Sequence, residues 1–267
     1  MMIAMSYEFD RAIASTPLGD GVHQVRMTTD WNTANGTPNG GYTLALMLHA
    51  VMAEAAEPDP LSIALTYFRP AQEGLGEVRV RQVRAGRRVS TYDAMLTQDG
   101  KEIAHAVVST HDWDKAGSVQ HTPHAAPPMP SPEACADLTT VIPSGLISIL
   151  DRYTYRAAAI PGWLEGSPAG ITESLCWIRA VDERPVDALL AGAMCDAFPP
   201  VTAEIGHLGS ATIQFTVHFR RRPSTTWLLG HAVTRHVIHG YADEDIELWD
   251  ENGLLVAQSR QLAILSD

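Results

Sequence analysis

The chain has 267 residues, 45% of them hydrophobic, and its 19 basic and 31 acidic side chains give a formal charge of −12 with histidine neutral. That length admits one large domain or two of ordinary size, with enough apolar material for a substantial core. The acidic balance repels a polyphosphate backbone or an anionic bilayer, so no nucleic-acid partner and no membrane insertion are expected.

The opening MMIAMSYEFDR lacks the basic and apolar regions of an export signal, and nowhere do 18 apolar residues run together, so a soluble, cytoplasmic protein is expected. A strand-like segment, GVHQVRMTTDW (21–31), comes next. After Pro38-Asn39-Gly40-Gly41 the run YTLALMLHAVMAEAAE repeats Leu44, Met47, Leu48, Val51 and Met52 at spacings of three and four, the pattern of a helix covering a core with one side. Glu57-Pro58-Asp59-Pro60 ends it. In EVRVRQV, Val78, Val80 and Val83 alternate with Arg79, Arg81 and Gln82, which reads as a strand with one covered face. Gln98-Asp99-Gly100 supplies a tight hairpin turn. Five prolines and little apolar periodicity make KAGSVQHTPHAAPPMPSPEA (115–134) a linker.

Beyond it the same order returns: a strand-like ITESLCWIRAV (171–181), a helix VDALLAGAMCDAF closed by Pro199-Pro200, a further set of strands, and a turn at Glu251-Asn252-Gly253. Three landmarks pair the halves at almost constant spacing. Phe68 precedes Phe219 by 151 residues, while Gly100 precedes Gly253 and Ala104 precedes Ala257 by 153. The chain therefore reads as a duplicated unit of α+β class, each copy a helix covered by a curved antiparallel sheet. The expected division is 1–114, a Pro/Ala-rich linker 115–140, and 141–267 with the candidate acid.

Candidate chemistry centres on Asp196, an acid in an apolar helix whose last turn is the wrong end of the dipole for a carboxylate. The first helix has no acid at the matching place, so the two copies are chemically unequal. Candidate partners lie on the following strands: Ser210, Thr212, Gln214 and Thr216 in SATIQFTVHF, with the apolar Ile213, Phe215 and Val217 on the opposite face, and Gln258 and Gln261 in LLVAQSRQLAIL. A carboxylate, a hydroxyl and an amide that converge can hold and deprotonate a water. Gly40 and Gly41 admit two readings: backbone N–H groups offered to a ligand at a helix N-terminus, or a tight entry turn capped by Asn39 with close packing behind it. Cys135, Cys176 and Cys195 form no CxxC, and His236 and His239 point to opposite strand faces, so no metal and no cofactor are expected.

Several stretches together resemble the type II acyl-CoA thioesterases, the TesB-like double-hotdog family, and within it an actinobacterial thioesterase-like branch. They are PNGGYTLALM (38–47), LTYFRPAQEG (65–74), VRAGRRVSTYDAMLTQDGKEIAHAVVS (83–109), MCDAFPP (194–200), SATIQFTVHFRR (210–221) and DENGLLVAQSRQLAIL (250–265). The resemblance implies a double hotdog and hydrolysis of a fatty acyl-CoA in lipid metabolism. It also implies that Asp196 activates a water oriented by Thr212 and Gln261. The chain departs from the better-studied bacterial pattern at Gln214-Phe215 and at Ala197-Phe198-Pro199-Pro200, so Phe198 becomes a candidate wall of the acyl pocket. Arg87 and Arg88, in a hairpin rich in arginine, are candidate donors to CoA phosphates. Two rival readings stand beside this one: a non-catalytic acyl-thioester binding protein, and an acyl-CoA hydratase or dehydratase recruiting His49. Exposed sheet edges favour association into a homodimer or higher homo-oligomer.

Overall fold

A computed structural model of the protein describes residues 7–266 except 143 and 146. Its secondary structure in chain order is α1 (Glu8–Ile13), β1 (Ser15–Gly19), β2 (Val22–Met27), α2 (Gly40–Glu54), β3 (Asp59–Tyr67), β4 (Gly74–Arg84), β5 (Ser90–Gln98) and β6 (Lys101–His111). The second half adds β7 (Ala136–Asp137), β8 (Tyr153–Ala157), β9 (Glu173–Ala180), α3 (Ala188–Met194), β10 (Ser210–Phe219), β11 (Leu228–Val233), β12 (Val237–Ile238), β13 (Tyr241–Asp250) and β14 (Leu255–Leu265). Short 3-10 turns connect several of them.

The strands form one antiparallel sheet in the order β1-β2-β4-β5-β6-β3-β10-β14-β13-β11-β9-β8-β7, with β12 beside β13. The duplication is visible in this order, because β4-β5-β6-β3 on one side mirrors β11-β13-β14-β10 on the other. The halves meet where β3 pairs with β10, Leu65 opposite Phe215 and Ile63 opposite Val217. Asp59 of the first copy also binds Arg222 of the second, at 2.7 Å to both Nε and Nη2.

The register corrects the repeat by one residue. Phe68 N–H donates to the Ile103 carbonyl as Arg220 N–H donates to that of Val256, each at 2.8 Å. Tyr67 faces Ala104 as Phe219 faces Ala257. The counterpart of buried Phe219 is therefore Tyr67, and Phe68, 47% exposed, matches Arg220. The shared Phe-Arg dipeptide hid this shift.

Asn39 caps α2, its Oδ1 accepting the N–H of Tyr42 at 3.0 Å. The helix is not one-sided as its spacing suggests: every residue from Gly41 to Leu48 is buried, as are Ala50 and Val51. The sheet covers part of its circumference and α3 takes another part, which requires small residues at the crossing. A Cβ at Gly41 would run into the Ala193 carbonyl, and one at Gly192 would lie 3.0 Å from Leu44 Cδ2. In β4 the alternation buries Gly76, Val78 and Val80, but an irregularity between Gln82 and Arg84 leaves Val83 exposed. The hairpin at Asp99-Gly100 has both residues at positive φ, 50° and 71°.

The Pro-rich segment is seated on the protein. Ala126 and Met129 pack on Trp177, Trp227 and Trp249 at the outer face of the second copy's part of the sheet, and Trp177 Nε1 donates to the Pro130 carbonyl at 2.9 Å. Within the stretch read as linker, β7 pairs with β8 as an edge strand.

Candidate active site

Asp196 lies two residues beyond the end of α3, after Cys195, and not in the helix's last turn. There it meets the N-terminus of α2. Its Oδ2 accepts the N–H of Gly41 at 2.9 Å and of Asn39 Nδ2 at 3.0 Å, and Asn39 Nδ2 also donates to the Asp196 carbonyl at 2.7 Å. The acid at the wrong end of its own helix is at the favourable end of the neighbouring one. Gly40 and Gly41 thus fit the close-packing reading: Gly41 N–H is taken by the protein's own carboxylate, and a Cβ at Gly40 would lie 2.8 Å from Asp196 Oδ2 and 3.2 Å from the Tyr67 hydroxyl. Tyr67 itself donates to the Gly40 carbonyl at 2.8 Å.

Thr212 and Gln261 come together, Thr212 Oγ1 donating to Gln261 Oε1 at 2.8 Å. Simple alternation would send Thr212 to the face opposite Phe215. A bulge between Thr212 and Gln214 inserts one residue and turns Thr212 to the helix side. Gln261 occupies an inward position on β14, in step with Ala257, Ser259 and Ala263.

Burial pushes the Asp196 carboxyl up to about 6, against the opposing pull of N–H donors from Gly41 and Asn39 and of the Gln261 amide. The side chain is half-buried, open to a cavity of about 650 Å³. Gly40, Asp196, Thr212 and Gln261 line this cavity, with Phe198, Ile147, Leu150 and Trp163 forming an apolar wall and Phe68 and Arg69 also bordering it. Phe198 rests its ring over Gly230 of β11. Ala197, Pro199 and Pro200 also face the cavity, so the stop after α3 is part of its lining.

Arg87 and Arg88 are exposed and do not line the cavity. Their hairpin closes near Ser90, whose Oγ donates to Glu57 Oε1 at 2.5 Å, just past the C-terminal end of α2. Asp196 is at the other end of that helix, about 22 Å away along a 15-residue axis at about 1.5 Å per residue. His49, the residue a hydratase would recruit, lies in the later half of α2 with Nδ1 at 3.1 Å from Ser15 Oγ, and it does not line the cavity.

Four contributors went unread in the sequence: Asn39 as a clamp on Asp196, Tyr67, Arg69 and Glu244. Glu244 had a legible signal. In YADEDIELWD the inward positions are Ala242, Glu244, Ile246 and Leu248, an acid within an otherwise apolar set. Its Oε1 accepts from Gln261 Nε2 at 2.8 Å, and burial, with repulsion from Asp196, lifts it to about 7. Thr234 adds a buried hydroxyl to the lining without a partner among the described residues.

The sequence matches the acyl-CoA thioesterase N-terminal domain over residues 27–111 and the acyl-CoA thioesterase C-terminal domain over 123–265. The chain belongs to the acyl-CoA thioesterase family. An uncharacterised protein of Mycobacterium tuberculosis is 25% identical over 98% of this chain and 99% of its own. Among solved structures, a hot dog fold protein of unknown function from Alicyclobacillus acidocaldarius superposes with a TM-score of 0.88 at 24% identity, covering 98% of each chain. The acyl-CoA thioesterase II TesB2 of Mycobacterium marinum gives 0.74 at 18% identity, covering 97% of this chain and 98% of its own. The fold of this acyl-CoA thioesterase family member is the double hotdog, with TesB-like neighbours.

Proposed function

We propose that the protein hydrolyses fatty acyl-CoA to a free fatty acid and CoA, with Asp196 as general base and Thr212 and Gln261 orienting the water. The observation that carries this reading is the placement of Asp196 beside the Thr212–Gln261 pair in a cavity with an apolar wall. Oδ2 is occupied by the N–H groups of Gly41 and Asn39, so Oδ1 is the oxygen that takes the water's proton. The water oxygen bonds to the thioester carbonyl carbon, the C–S bond breaks, and the proton held by Asp196 passes to the departing sulfur to give the CoA thiol. A carboxylate with its pKa near 6 is ionised at neutral pH and is more basic than an ordinary aspartate, which suits it to this role.

The apolar wall of Ile147, Leu150, Trp163 and Phe198 suits an alkyl chain, and Arg69 is the basic side chain among the described cavity-lining residues. The test is thiol release from acyl-CoAs of short, medium and long chains. Wild type releases thiol and Asp196→Asn lowers kcat by about 100-fold or more. Absence of thiol release across the whole panel overturns the hydrolase reading, and full activity of Asp196→Asn overturns the assignment of the base.

A further inference from the structure

The Gln261 amide is held at both ends. Its oxygen accepts the Thr212 hydroxyl at 2.8 Å and its nitrogen donates to Glu244 Oε1 at 2.8 Å. An amide flipped by 180° would set its N–H₂ against the Thr212 hydroxyl and its oxygen against a carboxylate, so the acceptor at Glu244 selects one of two nearly isosteric orientations. In the selected one Gln261 Oε1 takes the Thr212 hydrogen, and the Thr212 oxygen keeps its lone pairs for a water. We infer that Glu244 is a positioning residue, fixing the orientation of Gln261 and through it the acceptor set around the water. This rests on the hydrolase reading for its kinetic consequence only.

The surroundings of Glu244 support the role. Besides Gln261 on β14, Asp196 faces it from the loop after α3, and hydrogen bonding by the Val201 N–H comes from the segment that continues the cavity wall. Asp243 is the adjacent acid on its own strand, and none of the groups that shift it is cationic. Arg260 and Arg235 bind Asp245, one residue further along β13, and so belong to its outward side. Two acids near one amide, with no cation among the described groups that shift Glu244, do not ionise together: Asp196 gives up its proton first and Glu244 follows at about 7.

Three proteins test this: wild type, Glu244→Leu and Glu244→Gln. Leucine removes the acceptor, whereas the glutamine oxygen still accepts from Gln261 but carries no charge. Glu244→Leu is expected to lower kcat about tenfold or more with KM within about twofold, because the loss falls on orientation of the water. Glu244→Gln is expected to keep kcat within about threefold and to leave the acidic limb of its pH profile in place, since Glu244, lifted to about 7, is protonated where Asp196 titrates. A merely structural Glu244 would lower thermal stability in both variants without separating them in kcat, and equal kcat in the two variants overturns the inference. The ¹⁵N-resolved side-chain NH₂ resonances of Gln261 give a readout free of activity: their solvent exchange is equally slow in wild type and Glu244→Gln and faster in Glu244→Leu if the inference holds, and the same in all three if it fails. Wild type without thiol release but with that exchange pattern sinks the hydrolase reading alone. Active wild type with Gln261 exchange unchanged in Glu244→Leu sinks this inference alone.

Discussion

Asp196 Oδ2 accepts the backbone N–H of Gly41 at 2.9 Å, and this bond joins the two copies of the repeat into one site. The second copy contributes the carboxylate and the first contributes a helix N-terminus to receive it.

Gly41→Ala tests the junction. The added methyl would strike the Ala193 carbonyl and lie 3.0 Å from the Asp196 Cβ, so α2 and α3 must separate or Asp196 must shift. Overpacking of this kind costs about 1–3 kcal/mol. The expected result is a folded protein with a lower Tm and kcat reduced about 100-fold, measured by thermal denaturation and thiol release.

The raised pKa of Asp196 has consequences for activity and for stability. The base works when ionised, so kcat rises with pH through about 6 and levels off above it. Stability moves the other way. An acid whose folded pKa lies above its unfolded value binds more protons when folded, so its contribution is most favourable below about pH 4 and is lost as pH rises through 6. At one pKa unit per about 1.4 kcal/mol, and allowing for cavity water at a half-buried side chain, the ionised form costs on the order of 2 kcal/mol. Asp196→Asn should therefore raise Tm at pH 8 and change it little at pH 4, even as it removes activity.

The duplication, the helix starting at Gly40 and Asp196 as a polar exception could be read from residue types and spacing, since each leaves a local mark, whereas the choice of Thr212 and Gln261 among the polar strand residues came from the family resemblance. What could not be read depends on contacts between elements distant in the sequence. The environment of α2 was misjudged because spacing shows an apolar stripe but not the second helix that covers another side. Thr212 reached the cavity only through a bulge, which a strict period of two cannot express. Arg87 and Arg88 looked like phosphate donors by composition, yet their hairpin closes at the far end of α2. Glu244 was within reach, but the acidic run around it reads as a solvated edge until the register assigns it inward.

Phe198 and Gly230 set the width of the apolar wall as a pair. The ring lies over the missing side chain of Gly230, so a methyl there must push the ring away. Phe198→Ala is expected to improve kcat/KM for longer acyl chains relative to shorter ones by about tenfold, and Gly230→Ala to shift the ratio the opposite way, each within the 1–3 kcal/mol that pocket shape contributes. Relative rates on a chain-length series measure both. Identical profiles for the two variants would detach Phe198 from the pocket.

The proposed acyl-CoA substrate sets the arginines apart. Arg69 borders the cavity beside Phe68, both exposed, and its Nη1 donates to the Glu102 carbonyl, which anchors the guanidinium and leaves other N–H groups for an anion. A charge-assisted contact to a phosphate favours binding in ground and transition state alike, so its removal raises KM and leaves kcat in place. Arg69→Ala is expected to raise KM about fivefold, with an effect that shrinks as salt is added. Arg87→Ala/Arg88→Ala, at the opposite end of α2, is expected to keep KM within about twofold, since about 22 Å of helix separates its hairpin from Asp196. A larger rise in KM for the double variant than for Arg69→Ala would move the nucleotide end of the substrate to the β4–β5 hairpin.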